Sequence, residues 1–219
     1  VDGRSVYLDF FGMVMWDLIP TNPNDIKQIE VIRGPASAVW GANAMTGVVN
    51  VITKRGRDLK GTEVSGEASS FNTYRSRLSY GNKFSNGLEV LLSGSYSNSE
   101  GHRELFYPAF TSTNNGISRY ADRDNLYYYS GKLSYGDFTL TGGHQWRKKN
   151  VPTAAFGTLF NDNRQLTVDE RTYLDLVYQH EFANQLNVKA RLYFDRYYYY
   201  GQSPYDILGT GTPPFTLNR

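Results

Sequence analysis

From residue 61 onward, polar and apolar side chains alternate one for one through long stretches, and nothing else constrains the fold as strongly. Tyr74, Leu78, Tyr80 and Phe84 share one parity, while Arg75, Arg77, Ser79 and Lys83 share the other. Leu88, Val90, Leu92 and Tyr96 alternate with Glu89, Ser93, Ser95 and Ser97. The same holds for Leu174, Leu176, Tyr178 and Phe182 against Arg171, Asp175, Gln179 and Glu181. It holds again for Val188, Ala190, Leu192 and Phe194 against Asn187, Lys189, Arg191 and Asp195. Period-2 patterning of this kind specifies strands with one apolar and one polar face. Strands of soluble domains average ~5–6 residues, whereas a strand that crosses a bilayer needs about 9–11. Length decides for a membrane-spanning antiparallel meander. The pattern predicts seven strands, near 62–71, 74–84, 87–98, 124–135, 138–147, 171–182 and 186–200.

The connections agree. Short turns fall at Ser85–Gly87, Gly136–Asp137 and Ala183–Gln185, and long polar loops at 99–123, 148–169 and 201–219. Short turns on one rim and long loops on the other are the outer-membrane pattern. The first hairpin, turning near Asn72 and Thr73, is expected to have a short outer loop. The chain has 18 Tyr, 12 Phe and 3 Trp. On the seven strands, Tyr127, Tyr129, Trp146, Tyr198 and Tyr200 face outward near the long-loop rim. Phe84, Tyr135, Phe138 and Phe182 do so near the short-turn rim. Amphipathic rings collect at both membrane–water boundaries. Mean hydropathy is −0.52, which does not count against a barrel, because alternation averages out in any hydropathy window.

The first 54 residues read differently. Within IEVIRGPASAVWGANAMTGVVNVITK (Ile29 to Lys54), two apolar runs flank a middle punctuated by Gly34, Pro35, Gly41 and Gly47. Residues 36–40 are expected to form a turn of helix, residues 1–9 a strand, and Asn24 or Asp25 a cap for a helical turn before Ile29. The IEVIRGP run, the small residues ending in Val39-Trp40-Gly41, the GVVNVITK run and the upstream VDGRSVYLD together resemble the plug domain of TonB-dependent outer-membrane receptors. Trp40 stands where that family usually has Tyr, and Met45-Thr46-Gly47 replaces a common Leu-Gly-Gly.

That resemblance implies an all-β membrane barrel of the large, 22-strand type with a small α+β plug. It implies residues 1–56 as the C-terminal part of the plug, 57–61 as a linker and 62–219 as the first barrel strands. The TonB-contacting segment and the remaining strands would lie outside a chain of this length. Lys54-Arg55-Gly56-Arg57 is expected to be a solvated junction. The implied activity is active uptake of a scarce nutrient, most readily a ferric siderophore, with cobalamin or another nutrient open. A passive barrel and a soluble carbohydrate-binding protein are the competing classes. The implied partners are the TonB energy transducer, outer-membrane lipid and lipopolysaccharide, and a small-molecule ligand.

Candidate ligand contacts follow from both readings. The polar parity near the long-loop rim carries Arg75, Arg77, Arg147, Arg171, Tyr173, Tyr197 and Tyr199. Arginine forks and rings facing one vestibule suit an anionic, planar or catechol-like molecule. The resemblance adds the turn Trp40, Gly41, Ala42 and Asn43, and the apolar cluster holding Phe10, Phe11 and Trp16. It assigns Arg33 to pairing with barrel glutamates outside the chain. Arg147-Lys148-Lys149 is expected level with lipopolysaccharide phosphates, where each charge near an anionic surface contributes about 1 kcal/mol.

No nucleophile elbow, HExxH, phosphate-binding loop or EF-hand is present, so the expectation is a protein that is not an enzyme and has no cofactor. Zero cysteines exclude disulfides and thiolate metal sites. The three histidines are isolated, and a net charge of +2 gives no special affinity for nucleic acid.

Overall fold

The structure, a computed structural model, describes residues 1–8, 12–19, 21–183, 185–209 and 215–218, with only the backbone of Phe215. Two antiparallel strands, β1 (Ile26–Arg33) and β2 (Gly47–Thr53), form the centre of the N-terminal part. They pair from Ile29 opposite Val51 to Arg33 opposite Gly47. A Cβ at Gly47 would sit 2.8 Å from the Ile32 carbonyl oxygen, so the close approach needs glycine. Between them lies the helical turn α1 (Ser37–Trp40), which ends at Gly41 with φ +90.

Two local expectations fail. Residues 1–8 hold no strand, only a bridge from Leu8 to Met13. Asp2 and Gly3 both have positive φ, and the Arg4 N–H returns to the Val1 carbonyl at 2.9 Å, which closes a turn where extension was expected. The capping residue before β1 is Asn22, whose side chain accepts from the Asn24 N–H above the 3-10 turn Pro23–Asp25.

The wall is one antiparallel meander of eight strands: β3 (Gly61–Ser69), β4 (Thr73–Lys83), β5 (Glu89–Ser99), β8 (Asp124–Tyr135), β9 (Phe138–Asn150), β10 (Leu166–Glu181), β11 (Asn187–Tyr205) and β12 (Phe215–Asn218). A separate hairpin, β6 (Glu104–Phe106) with β7 (Ile117–Arg119), stands in the first long loop. The seven expected strands are present, and the sheet does not close on itself among the described residues. Three strands run farther toward the long-loop rim than expected, with β9 reaching Asn150, β10 starting at Leu166 and β11 reaching Tyr205. Above the apolar band, backbone ladder bonds hold the strands regardless of side-chain type, so alternation loses its signal before the strand ends.

The sheet has the two faces that the alternation demands. Leu174 and Leu176 stand exposed while Asp175 between them is buried. Leu78, Leu92, Leu133 and Leu192 are exposed on the same side. Rings end this band at both rims. Tyr127 stacks on Trp146 with centroids 5.2 Å apart, and Tyr135 pairs with Phe138 at the opposite turn. Tyr127 to Tyr135 is eight residue steps, or about 26 Å along the strand, which matches an apolar belt ~25 Å tall.

In the junction after β2, Arg55 and Arg57 are exposed to solvent while Gly56 between them is buried. A helical turn, α2 (Gly56–Leu59), wedges against the short-turn ends of β4 and β5. Arg57 pairs with the buried Glu89 at 2.6 Å, and Lys27 pairs with Asp58 at 2.9 Å.

Candidate functional site: the plug-facing side of the wall

The polar face of the wall holds the N-terminal part through charged and hydrogen-bonded contacts. Arg4 is buried at 5% exposure, with its guanidinium 4.0 Å over the Tyr173 ring and an ion pair to Asp195. Arg171 grips the same Asp195 with two bonds of 3.1 Å and donates to the Val6 carbonyl at 3.0 Å. Arg191 binds Asp175 and donates to the Asp2 carbonyl at 3.0 Å. Lys132 reaches Asp2 at 2.8 Å and also Thr53 Oγ1. Burial opposes ionisation of Asp2, but the Lys132 charge and the Thr53 bonds outweigh it and hold its carboxyl below the ordinary range.

Asp25 differs. It is 4% exposed, and Arg77 Nη1 stops 3.6 Å from its Oδ1. Its Oδ2 has no hydrogen-bond partner among the described residues. Burial therefore pushes this carboxyl above the usual range, against the pull of Ser93 and Arg77.

Toward the long-loop rim, a cavity of about 1060 Å³ opens between residues 16, 17, 19 and 21–24 and strands β3, β4, β5, β8 and β9. Trp16, at 63% exposure, and Phe71 give it rings; Asn22, Asn24, Ser95 and Ser97 give it neutral hydrogen-bonding groups. Arg75, Arg77, Arg147 and Lys149 line it too. Each of these cations meets a carboxylate. Arg147 holds Asp124 with two bonds (3.0 and 2.6 Å) and Asp17 with a third (2.8 Å). Arg75 bonds Glu67 at 3.0 Å, Arg77 bonds Glu63 at 2.7 Å, and Lys149 bonds Asp122 at 2.6 Å.

Of the residues singled out in the sequence, the structure therefore gathers Trp16, Arg75, Arg77 and Arg147 at one cavity. Arg171 and Tyr173 are buried instead as anchors of residues 4–6. Tyr197, on β11 away from the cavity lining, donates to Asp169 Oδ1 at 2.5 Å, and Tyr199 is also outside that lining. Trp40, Gly41, Ala42 and Asn43 are exposed and line no part of the cavity. Their turn stands at the far end of β1 and β2, while the hairpin's bonds to the wall and to α2 come from its other end, at Lys27 and Thr53. Arg33 is exposed at that far end too. Phe10 and Phe11 lie outside the described residues. Sequence reasoning missed Asp17 and Asp124, the partners that occupy Arg147. The parity of Asp124 on its strand was the available signal.

The expected basic rim run also splits. Arg147 and Lys149 point to the polar side and are paired, so only Lys148 is left exposed.

In the loops above the cavity, Asp122 accepts from Lys149 and from the His102 backbone N–H at 3.0 Å, and its Oδ2 lies 3.1 Å from His102 Nδ1. Burial raises the Asp122 pKa, and the Lys149 and His102 bonds lower it more, so the carboxyl lies below its ordinary value of 3.8. A carboxylate depressed in the folded state stabilises above its unfolded pKa and stops doing so as pH falls through the folded one. Amide exchange in residues 100–123 is expected to be unchanged from pH 7 to 5 after correction for intrinsic rates, and to rise below pH 3.8. Equal protection at pH 3 would contradict this role for Asp122.

Comparison with known proteins accords with this geometry. Residues 1–48 match the family model described as TonB-dependent Receptor Plug Domain. The chain resembles TonB-dependent receptors in its plug and in its fold. The fold likeness is to the pyoverdine outer membrane receptor FpvA from Pseudomonas aeruginosa PAO1 bound to pyoverdine, with a TM-score of 0.51 and 16% identity over 84% of this chain. The chain spans 28% of the length of that receptor.

Proposed function

We propose that this chain is the plug-proximal third of a TonB-dependent receptor that takes up a scarce nutrient, a ferric siderophore being the best-supported class. On this reading residues 1–56 are plug, 57–61 the connection and 62–219 wall, set in an outer membrane with lipid and lipopolysaccharide against the Leu174–Leu176 face. TonB would supply the energy that moves the plug, and the cavity beside Trp16 would hold the ligand before release. The observation that carries the proposal is continuity. A plug-type sequence leads, through the docked turn α2, into a meander whose apolar face points away from that plug. The siderophore preference rests on FpvA, whose bound ligand is pyoverdine. Cobalamin uptake is the alternative outcome of the test.

The test is growth of a receptor-deletion strain under iron limitation, complemented with the full-length gene and supplied with single ferric chelates. Restored growth on a chelate supports the proposal; restored growth only on cobalamin redirects it, and no dependence on either overturns it. Within the receptor, Trp16→Ala is expected to weaken binding of a rescuing ligand by roughly 1–3 kcal/mol, the scale of an interfacial aromatic anchor. Unfolding should barely change, because the indole is 63% exposed. Trp40→Ala should leave affinity untouched, and isothermal titration of both variants checks the contrast.

A further inference from the structure

Whether the cavity attracts an anion depends on the charge left after its own side chains have paired. Its lining carries four cations, Arg75, Arg77, Arg147 and Lys149, and four carboxylates, Asp17, Glu67, Asp122 and Asp124. Charge balance alone would leave room for a local anion subsite, but the pairing takes up most of it, with Arg75 held by one bond in an exposed pair with Glu67. The Arg147 fork is filled on Nε, Nη1 and Nη2 by Asp124 and Asp17. Lys149 is held by both the Asp122 carboxylate and the Asp122 carbonyl. Arg77 bonds Glu63 through Nη2 and Ser79 Oγ through Nη1, at 2.7 Å each.

We infer that this cavity takes an electrically neutral, hydrogen-bonding ligand. Among iron chelates that means the charge-balanced ferric trishydroxamate type, in which three singly charged groups cancel Fe³⁺, and not the trianionic ferric triscatecholate. The inference rests on the chelate-uptake reading above. A trianion would have to displace carboxylates already bound in the same geometry. Each displaced carboxylate would then be left beside the new negative charge, so exchange gains little. A neutral chelate disturbs none of these pairs. It can lay its organic surface on Trp16 and Phe71 and bond to Asn22, Asn24, Ser95 and Ser97. The arginines then act as rigid walls, and specificity against anions comes from the carboxylates that occupy them.

The experiment measures tryptophan fluorescence quenching in the purified full-length receptor, with the ferric complex of a cyclic trishydroxamate that carries no amine, and ferric tris-catecholate, as probes. Titrations run at 50 and 500 mM NaCl. The expected result is at least tenfold tighter binding of the neutral chelate, with a Kd that changes less than twofold between the salts. Tighter binding of the trianion with steep salt dependence would overturn the inference while leaving the uptake reading intact. Binding of neither probe, together with growth rescued by no ferric chelate and not by cobalamin, would remove the uptake reading itself. A second variant sharpens the outcome. Glu67→Gln, in an exposed pair with Arg75, frees one guanidinium and should improve trianion binding severalfold while leaving the neutral chelate unchanged. If Glu67→Gln leaves trianion affinity where it was, pairing is not what excludes the anion.

Discussion

Replacing Asp195 by Ala in the full-length receptor is expected to destabilise the seating of the plug by about 3–5 kcal/mol, the cost of stripping the partner from buried charges. Among the described residues, Asp195 is the carboxylate bonded to two guanidiniums, those of Arg4 and Arg171, whose side chains are 2% and 3% exposed. Once it is gone, Arg171 keeps only the Val6 carbonyl, and Arg4 keeps the Tyr173 ring. A ring face contributes roughly 2 kcal/mol at best to a desolvated cation, and a neutral carbonyl does not balance charge. Two like charges would then face each other across the gap. The segment from Asp2 to Val6 should lift from β10 and β11, because Arg171 and Arg191 reach its carbonyls from those strands. Denaturant unfolding reads the energy, and limited proteolysis near residues 1–8 reads the location. Asp162→Ala removes an ion pair two residues apart in an outer loop, with Arg164 half exposed, and should cost no more than ~1 kcal/mol. Equal midpoint shifts for the two variants would show that the Arg4–Asp195–Arg171 cluster is not what seats the plug.

How much of this was legible beforehand follows from the physics of each signal. The parity of residues 74–97 and 171–195 is a statement about two solvents, so it specified the meander and the side that meets the plug before any contact was known. The motif from Ile29 to Lys54 specified two strands and a turn, because its glycines and its proline act locally. What stayed hidden depends on partners remote in sequence. Arg171 and Arg147 look alike on their strands, yet one is sealed under Val6 and Asp195 while the other lines the cavity. Only the N-terminal residues that meet each arginine separate them, Val6 at Arg171 and Asp17 at Arg147. The carboxylate partners of the vestibule arginines stayed hidden for the same reason: Asp17 lies 130 residues from Arg147. Trp40 and Trp16 were both placed by resemblance, and of the two only Trp16 lines the cavity. Polar strand ends such as Thr167 to Asp169 were read as loop because alternation reports burial, not hydrogen bonding.

Gly56→Val is the substitution expected to damage the junction of plug and wall most. An ideal Cβ at Gly56 would lie 2.4 Å from the Asn82 carbonyl oxygen, 2.5 Å from the Val90 carbonyl oxygen and 2.7 Å from the Val90 nitrogen. All three are backbone atoms of paired strands, so none can rotate aside as a side chain would. Overpacking typically costs 1–3 kcal/mol where side chains can yield; against fixed backbone the cost should reach or exceed the top of that range. The cheaper escape is for α2 to leave the sheet. That would break the Arg57–Glu89 pair and strand Glu89, which is 4% exposed beside Lys83. Gly81→Ala probes the same joint from the other side, since its Cβ would stand 2.6 Å from the Leu59 Cβ. Gly66→Val is the control: β3 has nothing within 4 Å of a Cβ there, and valine favours a strand. Heat-modifiable gel mobility and thermal unfolding of the three full-length variants give the comparison. The expected order of stability is Gly66→Val near wild type, Gly81→Ala lower and Gly56→Val lowest. A Gly56→Val receptor as stable as the Gly66→Val one would mean that α2 does not dock on β4 and β5 in the membrane.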